Sequence, residues 1–240
     1  MNLTGHLSEL RRRLIWTAIV FIAFFIVGFI YIEPIYHWFV DSLDFTLTII
    51  SPAEIIWIYF SMAGLVSLIV TIPFLSVQIW LFVRPALTPK ERKVSLSYIP
   101  AIFFLFIGGL AFGYYIFVDF VFPFIRSLND GMFNEMFTVD SYFRFLMRIT
   151  LPFAILFEIP ILAMFLTSLG ILTPDFMKKT RKYAYLVLVI IGTMISPPDF
   201  ILQLVVAVPL IILYEISIFL SKIVYRKKQQ KHEAFMNEDD

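Results

Sequence analysis

The sequence predicts an all-α integral membrane protein of six transmembrane helices, with both termini on the cytoplasmic side and the last two helices forming a short hairpin. Composition, the length of the apolar runs and the placement of the basic residues predict it. Of 240 residues, 60% are hydrophobic and 15% charged, whereas charged residues make up about a quarter of a soluble domain. A soluble core of this length could not hide the 28 phenylalanines. The apolar residues come in long runs rather than in a 3.6-residue stripe, and about 20 of them in a helix span the ~30 Å hydrocarbon core of a bilayer. Backbone amides in lipid must be satisfied within their own segment, so such runs mean helices and not open sheet.

The first span reads as residues 14–32. It follows Arg11-Arg12-Arg13 and continues without a small-residue cleavage site, so it is not read as a removable signal. Glu33-Pro34 breaks it. Residues 35–54 carry aromatics with Asp41, Asp44 and Glu54, which suits short interfacial helices outside lipid. The second span, 55–83, exceeds the bilayer thickness and should tilt, or kink at Pro73. A polar loop, 84–93, follows. The third span, 98–122, contains Gly109 and Gly113, a spacing that lets a neighbouring helix approach, although glycine is common in membrane helices generally.

Residues 123–140 form an external loop. The fourth span, 145–169, carries Pro152, Pro160 and one acid, Glu158, and a second polar loop covers 170–182. The fifth span, 183–195, is only about 20 Å long at 1.5 Å per residue and cannot cross an ordinary bilayer without thinning it. Ser196-Pro197-Pro198-Asp199 turns tightly into the sixth span, 200–221. Residues 1–222 thus make one transmembrane domain, and 223–240 a polar cytoplasmic tail expected to lack regular structure at its end.

Orientation follows from charge. The amino end, the loops at 84–93 and 170–182 and the carboxyl tail hold 16 of the 19 lysines and arginines; Arg126, Arg144 and Arg148 are the others. Six spans put those four segments on one face, which the positive-inside rule makes cytoplasmic. No internal repeat is evident, and the short final hairpin argues against a duplicated transporter.

Enzyme constellations are scarce. There is no cysteine, and the three histidines, His6, His37 and His232, lie outside the apolar runs. No phosphate-binding glycine loop occurs, so no catalytic residue, metal or cofactor is expected. The acids are more telling. Glu9 and Glu91 sit in segments rich in Arg and Lys, either as interfacial carboxylates paired with neighbouring arginines or as a site for a basic ligand that takes guanidinium groups bidentately. Glu158 lies mid-span, where a carboxylate costs a few kcal/mol or more. It either hydrogen-bonds in helix packing or faces a polar cavity or partner. Glu215 lies near the inner end of the sixth span, within reach of Lys222 or the interface.

Five collinear strings carry a resemblance: HLSELRRRL (His6 to Leu14), QIWLFVRPALTPKERK (Gln78 to Lys93), FEIP (Phe157 to Pro160), LGILTP (Leu169 to Pro174) and SPPD (Ser196 to Asp199). In order and spacing over nearly the whole chain they resemble the TatC family, the signal-peptide receptor subunit of the twin-arginine protein translocase. The few residues before His6 and the short tail are similar to Gram-positive members.

The resemblance implies a non-enzymatic translocase component of the prokaryotic cell membrane that exports folded cargo on the proton-motive force. It implies that Glu9 and Glu91 receive twin-arginine signal peptides, with Leu10, Arg11, Leu14, Phe82 and Arg92 near the motif. It implies that Glu158 and Gln203 contact membrane partners and that Pro197, Pro198 and Asp199 form an external turn. Implied partners are the signal peptides, small single-span subunits of the TatA/TatB type, further copies of the chain and membrane lipids, with no nucleic acid. Two other readings stand beside it: a secondary transporter with Glu158 as its proton or cation site, and a structural membrane scaffold.

Overall fold

In the computed structural model the described residues are 3–41, 43–86, 92, 95–129, 131–196 and 199–238; Glu91, Pro197 and Pro198 lie outside them. The helices are α1 (Leu3–Ile30), α2 (Ile32–Val40), α3 (Pro52–Val83), α4 (Tyr98–Tyr115), α5 (Phe122–Ser127), α6 (Val139–Leu156), α7 (Ile159–Leu169), α8 (Pro174–Lys179), α9 (Arg181–Ile195) and α10 (Phe200–Glu238). A 3₁₀ turn, Arg84–Ala86, follows α3, and a π-helical turn, Ile116–Val121, joins α4 to α5. No strand occurs among the described residues. Among the described residues five stretches are long and apolar enough to cross a membrane: Ser8–Ile30, Pro52–Val83, Tyr98–Ser127, Val139–Leu169 and Phe200–Gln230. Of the helices outside them, α9 is the longest at 15 residues, about 22 Å of rise, short of a ~30 Å core.

The chain forms two compact units, Met1–Leu87 with Ser127–Met147 and Thr88–Arg126 with Arg148–Asp240. The first is built on α1 against α3. Arg13 meets Gln78, Phe21 meets Ser67 and Gly28 meets Ala63, so one helix descends as the other ascends: they are antiparallel. Lipid is as apolar as leucine, so close packing and interhelical hydrogen bonds, not the hydrophobic effect, hold such a pair. Both are present. The Ser67 hydroxyl donates to the Phe21 carbonyl at 2.6 Å, and a Cβ on Gly28 would lie 3.0 Å from Ala63 Cα. Ser51 starts α3 by accepting the Ala53 N–H at 3.3 Å, with Pro52 at the first helical position.

At the other end of α1 the chain turns at Tyr31 into α2, and Thr48 bridges to the strand-like stretch before α6. Thr48 N–H donates to the Phe137 carbonyl and Val139 N–H to the Thr48 carbonyl, each at 2.9 Å. Aromatic contacts close this region: Phe45 with Phe137 and Tyr142, and Phe143 with Tyr36 and Phe39. Arg144 lies over Trp57, its guanidinium carbon 4.3 Å from the ring centre, and pairs with Asp140 at 2.6 Å.

In the second unit, Gly109 and Gly113 of α4 bring that helix onto residues 150–157, and Phe112 packs on Phe153 and Phe157. The sequence left the glycine spacing ambiguous; here it serves a close helix contact. The fourth span is not one helix. It breaks at Phe157-Glu158, because Pro160 has no N–H to continue the ladder from α6. Gly170, at φ 80°, closes α7 with its N–H on the Thr167 carbonyl. The Thr167 and Ser221 hydroxyls, both buried, lie 2.7 Å apart and tie α7 to α10. A small apolar cluster of Ala163, Met177 and Ile218, with Leu172 and Tyr214 against it, seats α8 on the same pair.

The short α9 folds back on α10, where a Cβ on Gly192 would lie 3.4 Å from the Ala207 Cβ. Asp199 caps α10, its Oδ1 accepting the N–H groups of Ile201 (2.8 Å) and Leu202 (3.2 Å). Pro209 does not interrupt this helix, which has 39 residues and runs to Glu238. The expectation that the tail end lacks regular structure is corrected: the helical hydrogen-bond ladder continues past the membrane-length segment into the polar residues.

Candidate functional site

Glu9, Arg12, Arg13 and Trp16 are spaced i, i+3, i+4 and i+7, which puts them on one stripe of α1. That stripe and Gln78 and Leu81 of α3, with Ser8, line an open recess of about 600 Å³. Antiparallel packing of α1 and α3 creates it, since the start of one helix meets the end of the other. Glu9 is the acid among these lining residues.

Arg13 crosses the recess. Its Nε (3.2 Å) and Nη2 (2.5 Å) both donate to Glu9 Oε1, and its Nη1 donates to Gln78 Oε1 at 3.2 Å. The Arg13 side chain is 19% exposed and that of Glu9 38%, so the pair is partly withdrawn from water. Such charge-assisted bonds reach about 1.5–3 kcal/mol, against about 0.2–1 kcal/mol for an open surface pair.

Leu10, Arg11 and Leu14 lie exposed on α1 off this stripe, and they are not among the residues lining the recess. Phe82 and Arg92 are half-buried. Arg13 and Gln78 were not singled out from the sequence, although a helix places an arginine four residues after Glu9 directly beside it. Gln78 stood in the recognisable string with nothing to mark it apart from its neighbours.

Glu158 sits in the break between α6 and α7. Its backbone carbonyl receives the Leu162 N–H at 3.0 Å. Its two carboxylate oxygens are buried, and among the described residues neither meets a hydrogen-bond partner. A helix-packing hydrogen bond to another described residue therefore does not account for this acid. Gln203 follows the Asp199 cap by one turn and is half-buried. Glu215 does not pair with Lys222: it takes Arg181 Nη2 and the Tyr185 hydroxyl, each at 2.5 Å, because α9 lies alongside α10. Arg148 donates Nε (3.1 Å) and Nη2 (2.6 Å) to the Met194 carbonyl at the end of α9. Among the described residues no group of three His, Asp or Glu could hold a metal ion.

These features define a multi-pass helical membrane protein with a polar, guanidinium-filled recess between its first two long helices. The model of the family described as Sec-independent protein translocase protein (TatC) matches residues 5–209. TatCd of Bacillus subtilis strain 168 is 45% identical over 233 residues, covering 97% of this chain and 96% of its own length. TatCy of the same strain is 42% identical over 238 residues, covering 98% and 94%. The crystal structure of a twin arginine translocase receptor TatC is similar at TM-score 0.76 and 30% identity, covering 91% of this chain and 99% of that one. A structure of such a receptor in DDM gives 0.79 and 31%, covering 90% and 99%. The chain belongs to the TatC family of Sec-independent protein translocases, and it is a translocase component embedded in the membrane by several helices.

Proposed function

We propose that this protein is the receptor subunit of a twin-arginine translocase in a prokaryotic cell membrane, and that the Glu9 recess, together with Glu91, receives the arginines of signal peptides. The observation that carries the proposal is the Arg13–Glu9 fork. The recess already accommodates a guanidinium between a carboxylate and a carboxamide, and a twin-arginine ligand offers that group twice. In this reading Leu10, Arg11, Leu14, Phe82 and Arg92 are contacts for the rest of the signal, and the similar solved structures are described as receptors.

The recess faces the cytoplasm in this reading, with both termini and the loops at 84–93 and 170–182. Support comes from the 16 basic residues there. Arg144 and Arg148, two of the three exceptions, are engaged in local contacts. Glu158 and Gln203 serve as intramembrane contacts for single-span subunits. The turn at Pro197, Pro198 and Asp199 lies outside. The membrane domain spans 1–222, and transport of folded cargo draws on the proton-motive force.

Site-specific crosslinking to a twin-arginine signal peptide, set against a twin-lysine version, tests the docking site. Glu9→Ala and Glu91→Ala should each abolish the crosslink in protein that still inserts. Normal crosslinking in the double variant ends the assignment. Because the chain has no cysteine, a cysteine placed at Thr88 tests the orientation. Labelling of it by an impermeant maleimide from outside reverses the topology.

A further inference from the structure

The signal-docking reading leaves one feature of the recess unexplained, because Arg13 already holds one of the two Glu9 oxygens. Two nitrogens of Arg13 converge on that oxygen and the third reaches Gln78, so all three are engaged. Among the described residues Glu9 Oε2 accepts no bond. Arg12 lines the same recess and is exposed, without a hydrogen bond to Glu9. The more withdrawn of the two arginines is thus the one that occupies the carboxylate.

We infer that Arg13 is the specificity-determining residue of this site, an internal guanidinium that holds Glu9 Oε1 until a ligand arrives and that only an incoming guanidinium displaces. The inference rests on the reading that Glu9 receives the signal peptide. Its physical basis is exchange. A ligand arginine restores the two-bond fork that Arg13 gives up, so the exchange is nearly balanced and the second ligand arginine and its neighbours tip it. A lysine ammonium is a compact, strongly hydrated point charge without the planar fork. It cannot restore that geometry, and it leaves Arg13 displaced without compensation. Arg13 therefore raises the threshold for every ligand and raises it most for lysine.

The test uses the full-length protein in lipid nanodiscs and fluorescent signal peptides of twin-arginine and twin-lysine sequence. Binding is measured for the natural protein, Arg13→Gln, Arg13→Lys, Arg12→Gln and Glu9→Ala. Arg13→Gln should bind the twin-lysine peptide at least about tenfold more tightly than the natural protein does, about 1.4 kcal/mol, and the arginine-to-lysine ratio should collapse. Arg12→Gln removes the same charge from the same rim and should shift both affinities alike, which separates the fork from general repulsion. Arg13→Lys keeps the charge without the fork and should give an intermediate ratio; it also serves if Arg13→Gln does not assemble. An unchanged ratio in folded Arg13→Gln and Arg13→Lys overturns the inference while Glu9→Ala still abolishes binding. Loss of twin-arginine binding in folded Arg13→Lys overturns it too, since Arg13 would then hold the ligand rather than compete with it. Undiminished binding in Glu9→Ala overturns the docking reading itself.

Discussion

Gly109 and Ala154 come so close that a Cβ on the glycine would lie 2.6 Å from the Ala154 Cα and 2.9 Å from the Phe153 carbonyl oxygen. Both obstacles are backbone or nearly so, and neither can swing aside. One turn on, a Cβ at Gly113 would lie 2.7 Å from Thr150 Cα. Two adjacent turns of α4 thus depend on the absence of a side chain. Gly109→Ala should force the helices apart and cost about 1–3 kcal/mol, the range for overpacking. Gly108→Ala adds its methyl where nothing lies within 4 Å and should be near neutral. Thermal inactivation followed by size-exclusion in detergent distinguishes them; equal midpoints for the two variants would mean that the contact loosens freely.

Arg148 anchors the carboxyl end of the short α9 by two bonds to one carbonyl. That end has unpaired carbonyls and a partial negative charge, which a cation satisfies on both counts. Arg148→Ala should loosen the hairpin by about 1–3 kcal/mol, seen as faster proteolysis of a site inserted near residue 194. Arg148→Lys should recover part of the protection. If Arg148→Ala is cleaved at the natural rate, the anchor carries no weight.

Asp199 was expected in an external turn, and the structure places it at the head of α10. Its carboxylate accepts two orphan N–H groups of the helix. Asp199→Asn keeps an acceptor and should change stability little, while Asp199→Ala should cost about 1 kcal/mol. Export assayed beside stability separates cap from contact. A stable Asp199→Asn protein that no longer exports would assign the charge a role outside the chain.

The long apolar runs, the short α9 and the acids at Glu9 and Glu158 were readable because each violates or satisfies a one-dimensional rule of length or polarity. What escaped the sequence depends on pairing between elements. Arg13 was one of three arginines in a row; its spacing from Glu9 was readable, but the approach of Gln78 from α3 was not. Glu215 looked toward Lys222 because the two share a helix; the actual partners, Arg181 and Tyr185, come from another. The break at Phe157-Glu158 had its signal in Pro160, but proline in a membrane helix is often absorbed as a kink. The tail went the other way, since polar composition says little about whether a helix already under way stops.

Glu158 offers the last test. Its two oxygens are buried at a break in the helix, where the described residues supply no donor. A carboxyl group in a membrane interior is costly unless a partner or water satisfies it, which is the ground for the proposed contact with a group from outside the chain. If that group belongs to a single-span helix, hydrogen-bonding capacity matters more than full charge. Glu158→Gln keeps an acceptor and adds a donor of the same shape, and it should retain most export. Glu158→Leu fills the space without a polar atom and should reduce export at least about tenfold, the loss of one well-made interaction of about 1.4 kcal/mol. Signal-peptide crosslinking should survive both changes, because the proposed docking site is the recess at Glu9. Export at the natural rate in Glu158→Leu would reduce the residue to an incidental one. A Glu158→Gln protein as inactive as Glu158→Leu would mean that the proton itself is used, and would favour a titrating role of the transporter kind over a partner contact.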